Sequence, residues 1–314
     1  MKFSPDRRAT LIAAASAVAL FVVAAPAAAQ KKYGPGVTDT EIKLGQTMPY
    51  SGPASAYGTI GFNLSYQAEG VIYAKYLLKE KPNAKVAILY QNDDYGKDLL
   101  KGVKDGLGAN GAKMIVAEAT YEVTDPTVDS QIVTLQGSGA DTFIDITTPK
   151  FAAQAIRKAY DSGWKPLHII NNVGASVGSV LVPAGLDKST GLQTLQYYKD
   201  PNDPQWKDDP AMLEWRAFMG RYYREGDPKD AANVYAYLAA QTMVQVLKQC
   251  GNDLTRENVM KQVANIKSLR LPLLLPGMAL NSSLTDFALV KQGQLARFTG
   301  TLWQGFGEVL STTD

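Results

Sequence analysis

Past residue 30 the chain alternates between short apolar runs and longer stretches whose apolar residues recur at helical spacing. Residues 85–90 (KVAILY) form a continuous apolar run that predicts a buried strand. Residues 95–107 then place Leu99, Leu100, Val103 and Leu107 on one face of a helix. The alternation continues with a strand over 113–119 and a helix over 128–135 ending at Gly137. A strand over 141–147 (DTFIDIT), a helix over 151–161 ending at Gly163 and a strand over 167–170 (LHII) follow. Upstream, 41–47 predicts a short strand, and Ser65 caps a helix over 67–78. Four βα repeats of roughly 30 residues each predict a parallel sheet covered by helices on both faces. Two covered faces also explain why the strands are apolar throughout.

The pattern changes after residue 196. Residues 199–210 (KDPNDPQWKDDP) are dense in Asp and Pro and predict a surface or crossing loop. Three helices are predicted at 211–223, 231–249 and 255–264, the last with Thr255 at its cap and Glu257 in its first turn. From 287, FALVKQGQLARF predicts a hairpin that turns at its glycine.

The N-terminus has a different character. Lys2, Arg7 and Arg8 precede an uncharged run over 10–25, and Ala27-Ala28-Ala29 leads into the polar Gln30-Lys31-Lys32. That layout predicts a secretory signal peptide over 1–29, hence export to the periplasm. A transmembrane anchor is the alternative, and it lacks a basic stop-transfer flank. Arg7-Arg8 leaves a twin-arginine route open beside the general one. Removing the segment takes away three basic residues and one acidic one, leaving a mature chain of zero net charge. Such a chain has no electrostatic footprint for nucleic acid or an anionic membrane. The single cysteine, Cys250, cannot close a disulfide within the chain and reads as a small buried hydrophobe.

Catalytic groups are scarce. The one histidine, His168, sits inside LHII, where a buried ring satisfied by a backbone group outweighs a general base. No Cys/His cluster has metal-ligand spacing, and no P-loop or nucleophile elbow occurs, so neither a metal nor a cofactor is expected. Gly106–Gly111 fits G-x-G-x-x-G literally, but it closes a helix instead of opening one, which makes it a helix C-cap and turn. Asp93 and Asp94 follow a strand and begin a helix, where carboxylates are favoured for local reasons. Ligands in open α/β sheets bind at the carboxyl ends of strands. The segments so placed are 91–96 with Tyr95, 148–150 with Thr148, and 171–176 with Asn172. Residues 48–58 (MPYSGPASAYG) follow another strand, and their Ser51 and Tyr57 could grip and stack on a ligand; a plain turn is the alternative reading.

Taken together, GVTDTEIKLGQTMPYSGPASAYG, QNDDYGKDLLKGVKDGL and SGADTFIDITTPKFAAQAIRKAYDSGWKP behind a signal peptide resemble the periplasmic branched-chain amino acid binding proteins of ABC importers. The S-G-P-x-x-x-Y-G and D-Y-G-K-D motifs carry the resemblance, which runs over the mature chain. It implies a two-lobe type I periplasmic binding protein of the α/β class that closes on a small ligand and docks on a membrane permease. It implies a non-enzymatic monomer, with Ser51 and Tyr57 on the first-lobe wall, Tyr95 and Thr148 on the second, and an aromatic contact from Tyr235. A receptor or scaffold with no transport role, or a relative that no longer binds, is the alternative.

Two departures qualify what the resemblance implies. The loop that carries a carboxylate for the ligand ammonium in amino-acid binders reads Asn171-Asn172-Val173-Gly174-Ala175 here. Some relatives with such a loop take aromatic or other organic acids instead. The family also places about three further βα units between the S-G-P loop and the segment resembling 66–70, roughly 90 residues at 30 per unit. The expected arrangement is therefore a complete doubly wound second lobe over 65–196 and 283–314, and a truncated first lobe over 30–64 and 197–282. Helices over 211–264 would then expose apolar faces.

Overall fold

The structure, a computed structural model, describes residues 31–34, 37–41 and 62–312. The expected signal segment, Ser51, Tyr57 and nearly all of the strand expected over 41–47 lie outside the described residues.

Helix α1 (Tyr66–Glu80) opens the α/β part, capped by Ser65, whose hydroxyl accepts from Ala68 N–H at 3.2 Å. Then follow β2 (Val86–Gln91), α2 (Asp94–Leu107), β3 (Ile115–Tyr121), α3 (Asp129–Gly137), β4 (Thr142–Ile146), α4 (Pro149–Asp161), β5 (Leu167–Ile170) and β6 (Gln193–Gln196). Strands β8 (Gln292–Phe298) and β9 (Trp303–Ser311) complete a seven-stranded sheet of order β3-β2-β4-β5-β6-β8-β9. The first five strands run parallel, and β8 and β9 are antiparallel additions. Strand β1 (Lys32–Tyr33) pairs instead with β7 (Asp253–Leu254), away from this sheet.

The apolar runs are apolar because successive residues serve opposite faces. Val86 and Ile88 of β2 join the cluster under α1 and α2, while Ala87 and Leu89 join the one under α3 and α4. All four apolar residues predicted on the α2 face are buried in the first of these clusters. The edge strand β3 alternates between exposed and half-buried along most of its length, as an edge with one covered face should.

Helices α1 and α2 approach unusually closely. A Cβ on Gly70 would lie 2.3 Å from Leu99 O, and one on Gly102 would lie 2.1 Å from Gln67 O. Glycine costs a helix about 1 kcal/mol relative to alanine, so two such residues face to face mark a backbone contact that nothing larger permits. Gly108, with φ of +53°, ends α2 as its cap, and the glycine pattern is a helix terminus as expected. The chain then makes two more helical turns through Met114, so β3 begins at Ile115 and not at 113. Met114 is buried under α1 and α2, and that burial extends the helical path.

Three other expectations change. The C-terminal hairpin turns at residues 299–302, where Gly300 has φ of +96°, and pairs β8 with β9. Gly293, the expected turn glycine, lies inside β8, where a Cβ would come 2.5 Å from Leu195 Cγ. His168 is buried as expected, but its Nε2 meets the Asp145 carboxylate at 3.2 Å and not a backbone group, and Thr147 Oγ1 donates to the same carboxylate at 2.6 Å. Residues 199–210 are a surface loop in their second part only: Pro204, Gln205, Lys207 and Asp208 are exposed, whereas Lys199, Asp200 and Asp203 are buried. Their charges are satisfied locally, with Lys199 Nζ 2.7 Å from Asp209 and 4.8 Å from the Trp206 ring centre.

Helices α5 (Pro210–Tyr222), α6 (Ala231–Cys250) and α7 (Arg256–Val263) form a further layer. Met212, Trp215, Val234, Leu238 and Cys250 from this layer share one continuous cluster with α1 and the sheet. Residues 197–199 and 273–275, paired through Lys199 N–H to Leu273 O and Leu275 N–H to Tyr197 O, join the two regions. On the outer side Leu213, Phe218, Tyr222, Val244 and Met260 are exposed.

Gly102→Ala should cost about 2–3 kcal/mol, because a methyl driven into Gln67 O must push α1 off α2. Gly137→Ala, where a Cβ would meet nothing within 4 Å, serves as the control. Thermal melts of both variants test this, and equal midpoints would show that the helix contact is not tight.

Candidate functional site

The carboxyl ends of the parallel strands divide into a closed half and an open half. In the closed half, Gln91 at the end of β2 accepts from Tyr121 OH at 3.0 Å and from Thr148 Oγ1 at 3.2 Å, and donates to Asp93. Thr148 N–H donates to Tyr121 OH at 3.0 Å. Asp93 caps α2 by accepting from Gly96 N–H at 3.1 Å, the local role expected of it. With the Asn171 amide oriented to satisfy its neighbours, its oxygen accepts from Tyr95 OH at 2.8 Å and its nitrogen donates to Thr147 O at 3.1 Å. The Tyr95 ring also meets Tyr66 edge-on at 4.8 Å. Burial holds the Tyr95 and Tyr121 phenols well above the ordinary tyrosine range.

The open half lies beyond β5 and β6. A cavity of about 720 Å³ is lined from the sheet side by Asn172, Ser176, Thr194 and Gln196. Asn63, Tyr197 and Tyr198 contribute from the connecting segments, and Asp200, Asp227, Lys229, Asp230 and Tyr235 from the side of the α5–α7 layer. Of the site residues expected from sequence, Asn172 and Tyr235 line this cavity together. Thr148 and Tyr95 do not, although Pro149 beside Thr148 does.

The lining is held from behind. Phe62 packs edge-on to Tyr235 at 5.7 Å and tilted to Tyr197 at 6.5 Å, and Tyr197 OH donates to Asn63 Oδ1 at 2.9 Å. Asp230 caps α6 through Ala232 N–H at 2.9 Å. Asp200 accepts from Asn202 N–H at 2.8 Å and from its Nδ2 at 3.0 Å, and burial raises its carboxyl above the usual range. The residues that sequence reasoning missed, Thr194, Gln196, Tyr197 and Tyr198, sit in and just after β6. The run QTLQYY does stand at a strand's carboxyl end, the signal that singled out the other segments.

A second missed residue is Glu69, in the first turn of α1. It is 2 % exposed, and its Oε1 accepts from Tyr73 OH at 2.7 Å and from Asn172 N–H at 2.6 Å. Burial raises its carboxyl from 4.5 to about 7, against the opposing effect of these two donors. Among the described residues no cluster of His, Cys, Asp and Glu could hold a metal ion, and no helix is long and apolar enough to cross a membrane.

The family model for periplasmic binding proteins matches residues 6–299. The chain belongs to the periplasmic binding protein family. This is a family of substrate-binding proteins, which accords with the scarcity of catalytic groups in the sequence. The chain is 22% identical over 228 residues to the Leu/Ile/Val-binding protein homolog 8 of Brucella melitensis, covering 72% of this chain and 54% of that protein. It thus spans about half the length of the curated relatives it matches. Its fold is similar to that of a branched-chain amino acid ABC transporter protein from Thermus thermophilus with bound valine, with a TM-score of 0.68 at 14% identity, covering 80% of this chain and 66% of the other. It is also similar to a fatty acid ABC transporter substrate-binding protein from Thermomonospora curvata, with a TM-score of 0.59 at 21% identity over 77% of this chain and 63% of the other. The fold is the type I periplasmic binding protein fold, an α/β architecture as expected from the repeats.

The raised Glu69 carboxyl has a defined effect on stability. The unfolded chain releases this proton near 4.5 and the folded chain only near 7. The contribution is therefore complete below about pH 4.5 and is lost as pH rises through 7. Glu69→Gln, neutral at every pH, should remove that decline. The difference between the two stability curves should grow by a few kcal/mol from pH 4.5 to pH 8. Urea unfolding at several pH values measures it, and parallel curves would show that Glu69 is not held protonated by burial.

Proposed function

We propose that the chain is the solute-binding component of an ABC importer. In this reading it captures a small zwitterionic or organic-acid ligand of the branched-chain amino acid type in the periplasm and passes it to a membrane permease. The observation that carries the reading is the lining of the cavity at the ends of β5 and β6. Carboxylates (Asp200, Asp227, Asp230), an ammonium (Lys229), hydroxyls and the rings of Tyr197, Tyr198 and Tyr235 face one space of about 720 Å³. That volume falls within the usual range for small-molecule sites, roughly 300–1,000 Å³. Groups of both signs around aromatic rings suit a ligand that carries both signs on an apolar body. The loop over 171–175 lacks a carboxylate, and the opposite wall offers one, which restores a partner for a ligand ammonium.

Valine in the Thermus protein and the fatty acid transporter from Thermomonospora support a small organic ligand while leaving its head group open. The mechanism follows from the lining. One wall belongs to the ends of β5 and β6, the other to residues 227–235 at the start of α6. A ligand touching both walls favours the arrangement in which they are close, a shift between open and closed populations. The segments 197–199 and 273–275 would flex in that shift.

The test is a thermal-shift screen of the mature chain against leucine, isoleucine, valine, phenylalanine and simple aromatic acids. A ligand that binds only the folded state stabilises it by about 2.7 kcal/mol at a hundredfold excess over Kd. Tyr235→Ala should lower the unliganded midpoint, because its ring is buried against Phe62, and should also weaken that ligand by about tenfold or more, read as the shift from the variant's own unliganded midpoint. No shift with any compound would overturn the reading and favour a relative that no longer binds.

A further inference from the structure

Glu69 is a buried carboxyl that reaches from α1 to the lining of the cavity. Its Oε1 accepts from Asn172 N–H at 2.6 Å, and Asn172 in turn donates its side-chain amide to Leu195 O at 2.8 Å. Tyr73, one turn along α1, donates to the same Glu69 oxygen at 2.7 Å and lies 3.1 Å from Ile170 O. The loop that enters the cavity at 172–176 is thus tied to α1 at its first residue. Nothing in the motif reading singled out Glu69, and the proposed capture of a ligand does not use it.

We propose that Glu69 is a positioning residue for the cavity: through Asn172 N–H it fixes the 172–176 loop, and so sets where Asn172 and Ser176 stand on the cavity wall. A carboxylate accepts a hydrogen bond more strongly than a carboxylic acid, by roughly a factor of two. Ionisation of Glu69 therefore tightens the loop, while the same ionisation costs stability to the fold as a whole. The two effects have opposite sign, which a purely structural carboxyl would not produce.

The titratable groups that face Glu69 do not obscure this. Tyr66 and Tyr73 share its helix and Tyr95 comes from α2, and burial raises all three phenols. Asp93 acts on Tyr66, and Asp145 on Tyr95. From β6 the neighbours of Tyr73 are Thr194 and Leu195, which carry no charge. Burial places the Glu69 carboxyl at about 7, within the pH range the experiment spans.

The inference rests on reading the cavity as the ligand site, but its test needs no ligand, so its failure is separate from that of the thermal-shift screen. Amide exchange of the full chain is read at Asn172 as a protection factor, which divides out the intrinsic pH dependence of exchange. In the wild type, protection at Asn172 should rise about tenfold between pH 5.5 and 8 relative to amides of β4. In Glu69→Gln that rise should vanish. In Glu69→Ala, protection at Asn172 should fall at least about tenfold below that of β4 at pH 8. If Glu69→Ala does not fold, Glu69→Gln decides alone. A pH step that persists in Glu69→Gln, or an Asn172 amide that follows β4 in every variant, overturns the proposal.

Discussion

Helices α1 and α2 touch backbone to backbone at Gly70 and Gly102, and this contact fixes how α1 is rotated against the sheet. Because Gly70 must face α2, its neighbour Glu69 is turned inward toward the ends of β5 and β6. Tyr73, four residues on, falls on the same side of the helix and meets the carboxyl there. Burial of an acid is costly unless donors reach it, and here the donors are a tyrosine of the same helix and the backbone of the cavity loop. The close helix contact and the buried carboxyl are one arrangement seen at two places. Loosening the first would let water reach the second.

That arrangement also explains why the cavity lies where it does. On the β2–β4 side, side chains at the strand ends bond to one another: Gln91, Tyr121 and Thr148 form one closed set, and Tyr95 with Asn171 another. These groups face one another, and none of them lines the cavity. On the β5–β6 side Glu69 engages the Asn172 backbone and leaves that residue beside the open space, where hydroxyls and amides of β6 join it. The site therefore sits at one end of the strand series and not across its middle.

Much of this was legible in the chain. The apolar runs and helical spacings predict the βα series nearly element by element, because a strand covered on both faces and a helix on a sheet leave distinct periods in sequence. The helix caps Ser65 and Thr255 were legible for the same local reason. What failed was set by distant contacts. Gly293 looks like a turn, yet it is glycine because Leu195 of the neighbouring strand presses on it. The run over 199–210 is exposed in its second part as its composition suggests, yet its start is buried, where Lys199 meets Asp209 beside Trp206. At the site, position on a strand end pointed to Asn172, Tyr95 and Thr148 alike. What separates the first from the other two is where their side chains turn: Thr148 bonds to Gln91 and Tyr95 to Asn171, whereas Asn172 stands on the cavity wall.

The α5–α7 layer poses the opposite question, of why an apolar outer surface can be carried at all. Leu213, Phe218, Tyr222, Val244 and Met260 stay exposed, an arrangement that contributes nothing to folding. The inner side compensates: Met212, Trp215, Val234 and Leu238 are wholly buried in the cluster that also holds Ile72, Leu77 and Ile144. Burial of each large apolar side chain is worth about 1.5–3 kcal/mol. The layer is therefore anchored through the same core as the sheet, by way of Phe62, Tyr197 and Tyr235. Two of those rings, Tyr197 and Tyr235, also line the cavity, and Phe62 backs them. Any movement that separates the cavity walls must slide this aromatic contact, so the stability of the layer and the geometry of the site are set by the same side chains.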